Sequence, residues 1–340
     1  MSSRVFFLDC QTTGPNPEKG ALLELAWGFD ETSIMSYLVQ VPDGVPNRIQ
    51  QLTGVTEEDM RKALSPGDVL DRFIDSLQSH GIAATEPAED VFAVIHYAKF
   101  EERFLKEFFA RFGRELPFQI LCTHELARRV VPQLPSRGLR GLAGFFGHRK
   151  AEEKRAADHV EATIAVWRGL CEKMGCTDPL EARRWLGEAV PKRAAFVYPL
   201  DKNKRLGLPD APGVYRFVNR KGEILYVGKA TSLKDRVNSY FRGRKGRDHR
   251  KLEMLTQAWD LDVTVCKNIM EASMLESDLI KEHTPPYNLA LKSANKTLVY
   301  YSRDFLSVRM IQDREHPMGP FPAFSAIEQL WMFCQGVADG

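Results

Sequence analysis

PGVYRF at 212–217, ILYVGKA at 224–230, LKDRVNSYF at 233–241 and MLESDLIKEHTPPYN at 274–288 decide how the C-terminal half of this chain reads. The first two blocks alternate and are β-branched or aromatic, and a Lys-Gly turn joins them, so they predict a hairpin. Tyr215 and Tyr226 stand near the strand ends, with Gly213 and Gly228 keeping the local bulk low. Two phenols then face one site. Arg236 follows ten residues after Tyr226 on the next helix, and Tyr240 comes four residues later on the same helical face. A guanidinium beside phenols suits a phosphodiester.

Working outward, the predicted order is strand, strand, helix, basic loop, helix (KLEMLTQAW), strand (LDVTVCK) and helix (IMEASMLESDLIKEH). The four ordered blocks resemble the GIY-YIG nuclease domain of the UvrC and Cho repair endonucleases. That resemblance implies a metal-dependent endonuclease, using Mg²⁺ or Mn²⁺, of the nucleotide excision repair type. By matching position, Tyr226 or Tyr215 would activate or position the attacking water. Lys229, Arg236 and Tyr240 would hold the phosphate, Glu276 would be the single metal carboxylate, and Asn288 would orient phosphate or DNA. A free tyrosine, with a pKa of about 10, is a poor base at neutral pH. The expectation is therefore that a metal ion and Lys229 lower it or act on the water instead.

From Lys229 to Lys251 there are nine Lys/Arg against two acids, Asp235 and Asp248. Lys234, Arg242, Arg244, Lys245, Arg247, Arg250 and Lys251 make up a glycine-spaced basic stretch suited to tracking a phosphate backbone rather than reading bases. DNA is the expected partner.

The N-terminal half alternates strand-like runs (VFFLDC, LLELAW, VFAVIHY) with helical ones (PGDVLDRFIDSL, FEERFLKEFFARF, ADHVEATIAVWRGLCEKM), an α/β pattern. FLDCQTTG at 7–14, AVIHYAKFEERFL at 93–105 and KRAADHVEAT at 154–163 resemble the three motifs of DnaQ-like (DEDDh) 3′–5′ exonucleases, which have an RNase H-like fold. In that family four carboxylates hold two metal ions and a histidine is the general base. This chain keeps part of the set. Asp9 matches the first acid, Gln11 takes the place of the second, and Glu101 stands where the family has aspartate. Aligned on HVEAT, His159 falls at the usual aspartate and Lys154 at the usual histidine. A one-residue slide offers Asp158 as the acid with His159 as base, but turns the side chain by about 100° on a helix. The resemblance therefore implies a weak exonuclease or a DNA-positioning module.

At 340 residues, with 44% apolar and 27% charged residues and a net charge of +2, the chain is long enough for two domains. The expected division is 1–175 exonuclease-like, 176–208 linker, 209–292 GIY-YIG, and 293–340 of unassigned role. The fold class is α/β throughout. Nothing approaches a transmembrane run, and the first residues lack a secretory signal, so a cytoplasmic protein is expected. Six cysteines, without a CxxC pair, read as buried thiols. Two rival readings stay open: a polymerase-associated proofreading exonuclease with an accessory GIY-YIG domain, and a non-enzymatic DNA-binding scaffold. A UvrB-like repair partner belongs to the first reading, a polymerase to its rival.

Overall fold

The structure, a computed structural model, describes residues 4–83, 88–148, 154–191, 195–242, 248–288, 298–303, 307–309 and 311–322. In chain order the first part comprises β1 (Arg4–Thr12), β2 (Leu22–Gly28), β3 (Met35–Leu38), α1 (Asn47–Thr53), α2 (Glu57–Arg61), α3 (Pro66–Ser79), β4 (Val91–Ile95), α4 (Ala98–Ala110), β5 (Gln119–Cys122), α5 (Thr123–Val130), α6 (Leu139–Phe145), α7 (Ala156–Met174), α8 (Pro179–Gly187) and α9 (Lys202–Leu206). There follow β6 (Gly213–Val218), β7 (Ile224–Ala230), α10 (Leu233–Ser239), α11 (His249–Gln257), β8 (Asp260–Val265), α12 (Ile269–His283), β9 (Leu298–Tyr301), β10 (Val308–Arg309) and β11 (Met318–Pro322). The chain forms two compact units, Met1–Leu279 and Ile280–Gly340.

The first sheet has the order β3-β2-β1-β4-β5, antiparallel from β3 to β1 and parallel from β1 to β5. VFFLDC is apolar but for Asp9 because β1 is central and buried on both faces. Phe6, Leu8 and Cys10 join the cluster around Trp27, Phe73, Phe109 and Phe118 on one face. Phe7 joins Val94, Val160, Ile164 and Trp167 on the other. The two-residue period places Asp9 and Gln11 on the side of Phe7, where α7 packs on β1. This alternation positions the N-terminal cleft.

Helix ends follow the sequence signals. Ser65 caps α3 through the Asp68 amide with Pro66 at its first turn, and Gly175 closes α7 in the left-handed conformation. Within the stretch expected as linker, α8 packs on α5 and buries Ala182 in the core of the first domain. Its amphipathic pattern satisfies that core rather than bridging solvent. Cys10, Cys171 and Cys266 are buried thiols and Cys122 and Cys176 are half-buried; all five are free.

The second sheet, β7-β6-β8, is antiparallel, with β6 central. In the C-terminal unit β9 lies between β10 and β11 in a third antiparallel sheet. There Asp313 accepts the amides of Glu315 and His316 and holds the His316 ring, whose Nε2 meets Ser307 Oγ at 2.9 Å. These bonds order a segment that sequence patterning left unassigned. Among the described residues no helix is long and apolar enough to cross a membrane.

Candidate active site

The hairpin register pairs Tyr215 with Gly228 and Phe217 with Tyr226. A Cβ at Gly228 would lie 2.5 Å from Tyr215 Cζ and 2.8 Å from Tyr226 Cε1, so only glycine lets the two phenols close over the strand. Ser232 caps α10 by accepting the Asp235 amide. That helix carries Arg236 and delivers Tyr240 at its end. Tyr215 and Tyr240 hydroxyls meet at 2.8 Å, and the Tyr226 ring centroid lies 6.1 Å from that of Tyr215 and 6.3 Å from that of Tyr240. The Arg236 guanidinium stands 5.6 Å from the centroid of Tyr240. Three phenols, not two, meet one arginine.

Glu276 faces this cluster from α12. The Lys229 amide donates to its Oε1 at 3.1 Å, and Lys229 Nζ lies 3.6 Å from Oε2 while donating to Ser273 Oγ. Burial above all pushes all three phenols above the ordinary tyrosine value; at Tyr226 the neighbouring Tyr240 and Glu276 add to it. Arg236 is shifted up too, first by Tyr215. The Lys229 ammonium is turned to Glu276 and Ser273. With the protein's own charges the phenols are hydrogen-bond donors at neutral pH.

Asn288 is buried in the C-terminal unit. Of the basic stretch, Lys234, Arg242 and Lys251 are exposed and Arg250 is half-buried. Arg244, Lys245 and Arg247 lie outside the described residues.

Residues 211–289 match the family model described as the UvrC-like GIY-YIG domain. The chain thus carries a UvrC-like GIY-YIG domain. The chain is 36% identical to the magnesium-bound GIY-YIG N-terminal endonuclease domain of UvrC from Thermotoga maritima, covering 26% of this chain and 94% of that one, with a TM-score of 0.24. UvrABC system protein C of Desulforudis audaxviator is 40% identical over 139 residues, 38% of this chain and 22% of that protein. A Mycobacterium tuberculosis protein named as a bifunctional exonuclease/endonuclease is 34% identical over 257 residues, 74% of this chain and 37% of that protein. That alignment is too long to fall outside the N-terminal half, which is exonuclease-like. The chain spans well under half the length of these curated relatives.

Beside the GIY-YIG domain, the exonuclease-like half has its own cleft of about 630 Å³. Asp9 and Gln11 on β1, Glu101 on α4, His159 on α7 and Arg140 on α6 line it. His159 Nδ1 lies 3.1 Å from Asp9 Oδ2, and Glu101 accepts the Cys10 amide at 3.2 Å. Gln11 Nε2 donates to the Lys154 carbonyl, and its buried Oε1 has no hydrogen-bond partner among the described residues. Burial raises both Asp9 and Glu101; His159 opposes the rise at Asp9, and Asp9 adds to that at Glu101. Asp158 does not face the cleft. Its carboxylate accepts the amides of Lys154 and Arg155 and caps α7. Of the two neighbours, the helix turns His159 to Asp9 and Asp158 to its own N-terminus.

One acid position holds a neutral amide and another an imidazole bonded to Asp9, a donor set that carries less negative charge than two divalent ions call for.

Sequence patterning missed Glu24, a carboxylate buried at the centre of LLELAW. It accepts Arg155 through two nitrogens at 2.9–3.1 Å, the Ala156 amide and Ser36 Oγ, and so fastens α7 to β2. Its signal was available, since an acid inside a buried strand needs a partner. Tyr97 was also missed. It stands at the N-terminal boundary of α4 with φ 57°, a strained conformation for an aromatic residue, and stacks on His124 at the cleft rim.

Proposed function

We propose that this chain is a divalent-metal-dependent DNA endonuclease that nicks through its GIY-YIG domain, with the exonuclease-like cleft holding a DNA end and trimming it weakly or not at all. The convergence of Tyr215, Tyr226, Tyr240 and Arg236 beside the Lys229-braced Glu276 carries this reading. Glu276 would hold the Mg²⁺ or Mn²⁺ ion. A single carboxylate suits Mg²⁺, which keeps most of its waters and takes substrate phosphate as a ligand. Bound there, the ion would supply positive charge to the phosphorus centre and acidify the attacking water. Arg236 would clamp the non-bridging oxygens, and the protonated phenols would orient phosphate and water by donating hydrogen bonds. Lys229 holds the carboxylate in place.

The similarity to UvrC supports a place in DNA repair and, as the family-level partner, a UvrB-like protein. The proofreading alternative, with a polymerase as partner, is disfavoured by Gln11 and His159, which remove two negative charges from the cleft.

Supercoiled plasmid and end-labelled linear DNA, titrated with Mg²⁺ or Mn²⁺, test the reading. Metal-dependent relaxation of the plasmid, lost in Glu276→Ala, is expected. End resection that survives Glu276→Ala, without nicking, would replace it with the exonuclease reading. Binding without hydrolysis would leave a scaffold.

A further inference from the structure

The two candidate sites are joined by a continuous path of packed elements. Helix α6 begins at the rim of the exonuclease-like cleft, where Leu139 and Arg140 line it. A Cβ on Gly138 would lie 3.8 Å from both Tyr97 Oη and His249 Cε1, so the cleft rim, the start of α6 and the first residue of α11 meet at one point. Further along, Gly141 lies against Glu253, and Gly144 lies so close to Gln257 that a Cβ there would come within 2.6 Å of Gln257 Cγ. The helices therefore run parallel, pressed together along the glycines of GLRGLAG. The Ser136 amide donates to Thr256 Oγ1 at 2.9 Å, and Phe145 stacks on Trp259 with centroids 5.5 Å apart. The Trp259 amide donates to the Val218 carbonyl at the end of β6, the strand that carries Tyr215.

We infer that the protein measures: a DNA 3′ end seated in the exonuclease-like cleft sets the position at which the GIY-YIG domain nicks. The inference rests on the function proposed above and adds to it a register. Packed cores do not deform continuously, so a path of close-packed helices transmits a position. Over α11 the path rises by about 12 Å, and the nick is expected on the order of one duplex turn, ~34 Å, from the end. The half-exposed Tyr97 and Phe100 at the cleft offer stacking faces to the terminal bases. Divergence of the metal-binding acids then has a consequence: an end that is held and not degraded is a usable reference point.

The test uses the full chain with Mn²⁺ on three DNA molecules: a linear duplex with a 3′ single-stranded end, the same duplex lengthened at that end, and a closed circle of the same sequence. Nicks are mapped on a sequencing gel. The expected result is one narrow band on the linear molecule that moves with the end when the duplex is lengthened, and scattered nicks on the circle. Blocking the 3′ terminus with biotin–streptavidin should scatter the nicks. Gly144→Leu, which drives α11 from α6, should leave circle nicking intact while broadening the band; should that variant not fold, the blocked-end comparison decides alone. Nicks that stay at one sequence when the end moves, with the circle still cut, overturn the register and spare the endonuclease. Absence of nicking on every molecule removes both.

Discussion

Gly228→Ala is the smallest change that should damage the GIY-YIG site. The added methyl would sit 2.5 Å from Tyr215 Cζ and 2.8 Å from Tyr226 Cε1, against an ordinary carbon separation of about 3.5 Å. Relief requires the Tyr215 ring to move by about 1 Å, and Tyr215 is fully buried with Phe217 and Tyr240 against it. Overpacking of this kind costs about 1–3 kcal/mol of stability. Loss of the Tyr215–Tyr240 hydroxyl bond adds about 1 kcal/mol. Displacing a positioning group by about 1 Å lowers a rate by on the order of 100-fold. The assay is the nicking rate on supercoiled plasmid at saturating Mn²⁺, paired with a thermal melt. Gly187→Ala serves as control, since nothing lies within 4 Å of its added Cβ. Wild-type nicking by folded Gly228→Ala would refute the claim that the close approach of these phenols matters to the chemistry.

Tyr226→Phe and Arg236→Ala should reduce nicking severely with folding intact, as circular dichroism and plasmid relaxation would report; an active Arg236→Ala would remove the phosphate clamp. Replacing Arg244, Lys245 and Arg247 with alanine should reduce the log–log salt slope of DNA binding by about 1 for each phosphate no longer neutralised. An unchanged slope would make that stretch a solvated surface. Gln11→Glu with His159→Asp, in a Glu276→Ala background, should create Mn²⁺ binding detectable by calorimetry and some 3′–5′ resection, with Lys154→His supplying a base. Robust resection by the unaltered cleft, abolished by Asp9→Ala, would contradict the degraded-site reading. His96, bonded to Thr123, is pushed by burial from the ordinary 6.5 down to about 3. The unfolded state therefore binds the extra proton between those values, and stability falls as pH drops below 6.5. At pH 5 the loss from this residue is about 2 kcal/mol. Denaturant melts of His96→Gln should lack that component; identical pH slopes for the two proteins would show that His96 does not stay neutral.

The GIY-YIG half was legible because its information is local. A hairpin, a capped helix and a carboxylate helix each announce themselves by period and by punctuation, and the predicted order of strands and helices from β6 to α12 is the observed one. Likewise VFFLDC, LLELAW and VFAVIHY became β1, β2 and β4, since short, predominantly apolar runs suit strands buried on both faces. Short elements such as β3, β5 and α6 escaped, because stretches of four to seven residues carry too little period to rise above composition.

What side chains do at a distance belonged to the tertiary structure. Sequence left both Asp158 and His159 as the inward residue of α7; the capping bonds of Asp158 and the hydrogen bond from His159 to Asp9, 150 residues away, decided between them. Sequence also had Lys229 reaching for phosphate or a phenol, whereas packing of α12 put Glu276 within its reach. Protonation follows the same rule: which phenol or carboxylate keeps its proton depends on burial and on neighbours brought from elsewhere in the chain. The glycines of GLRGLAG were visible as residues, but their meaning was not. A missing Cβ states only that something comes close, and the fold supplied α11.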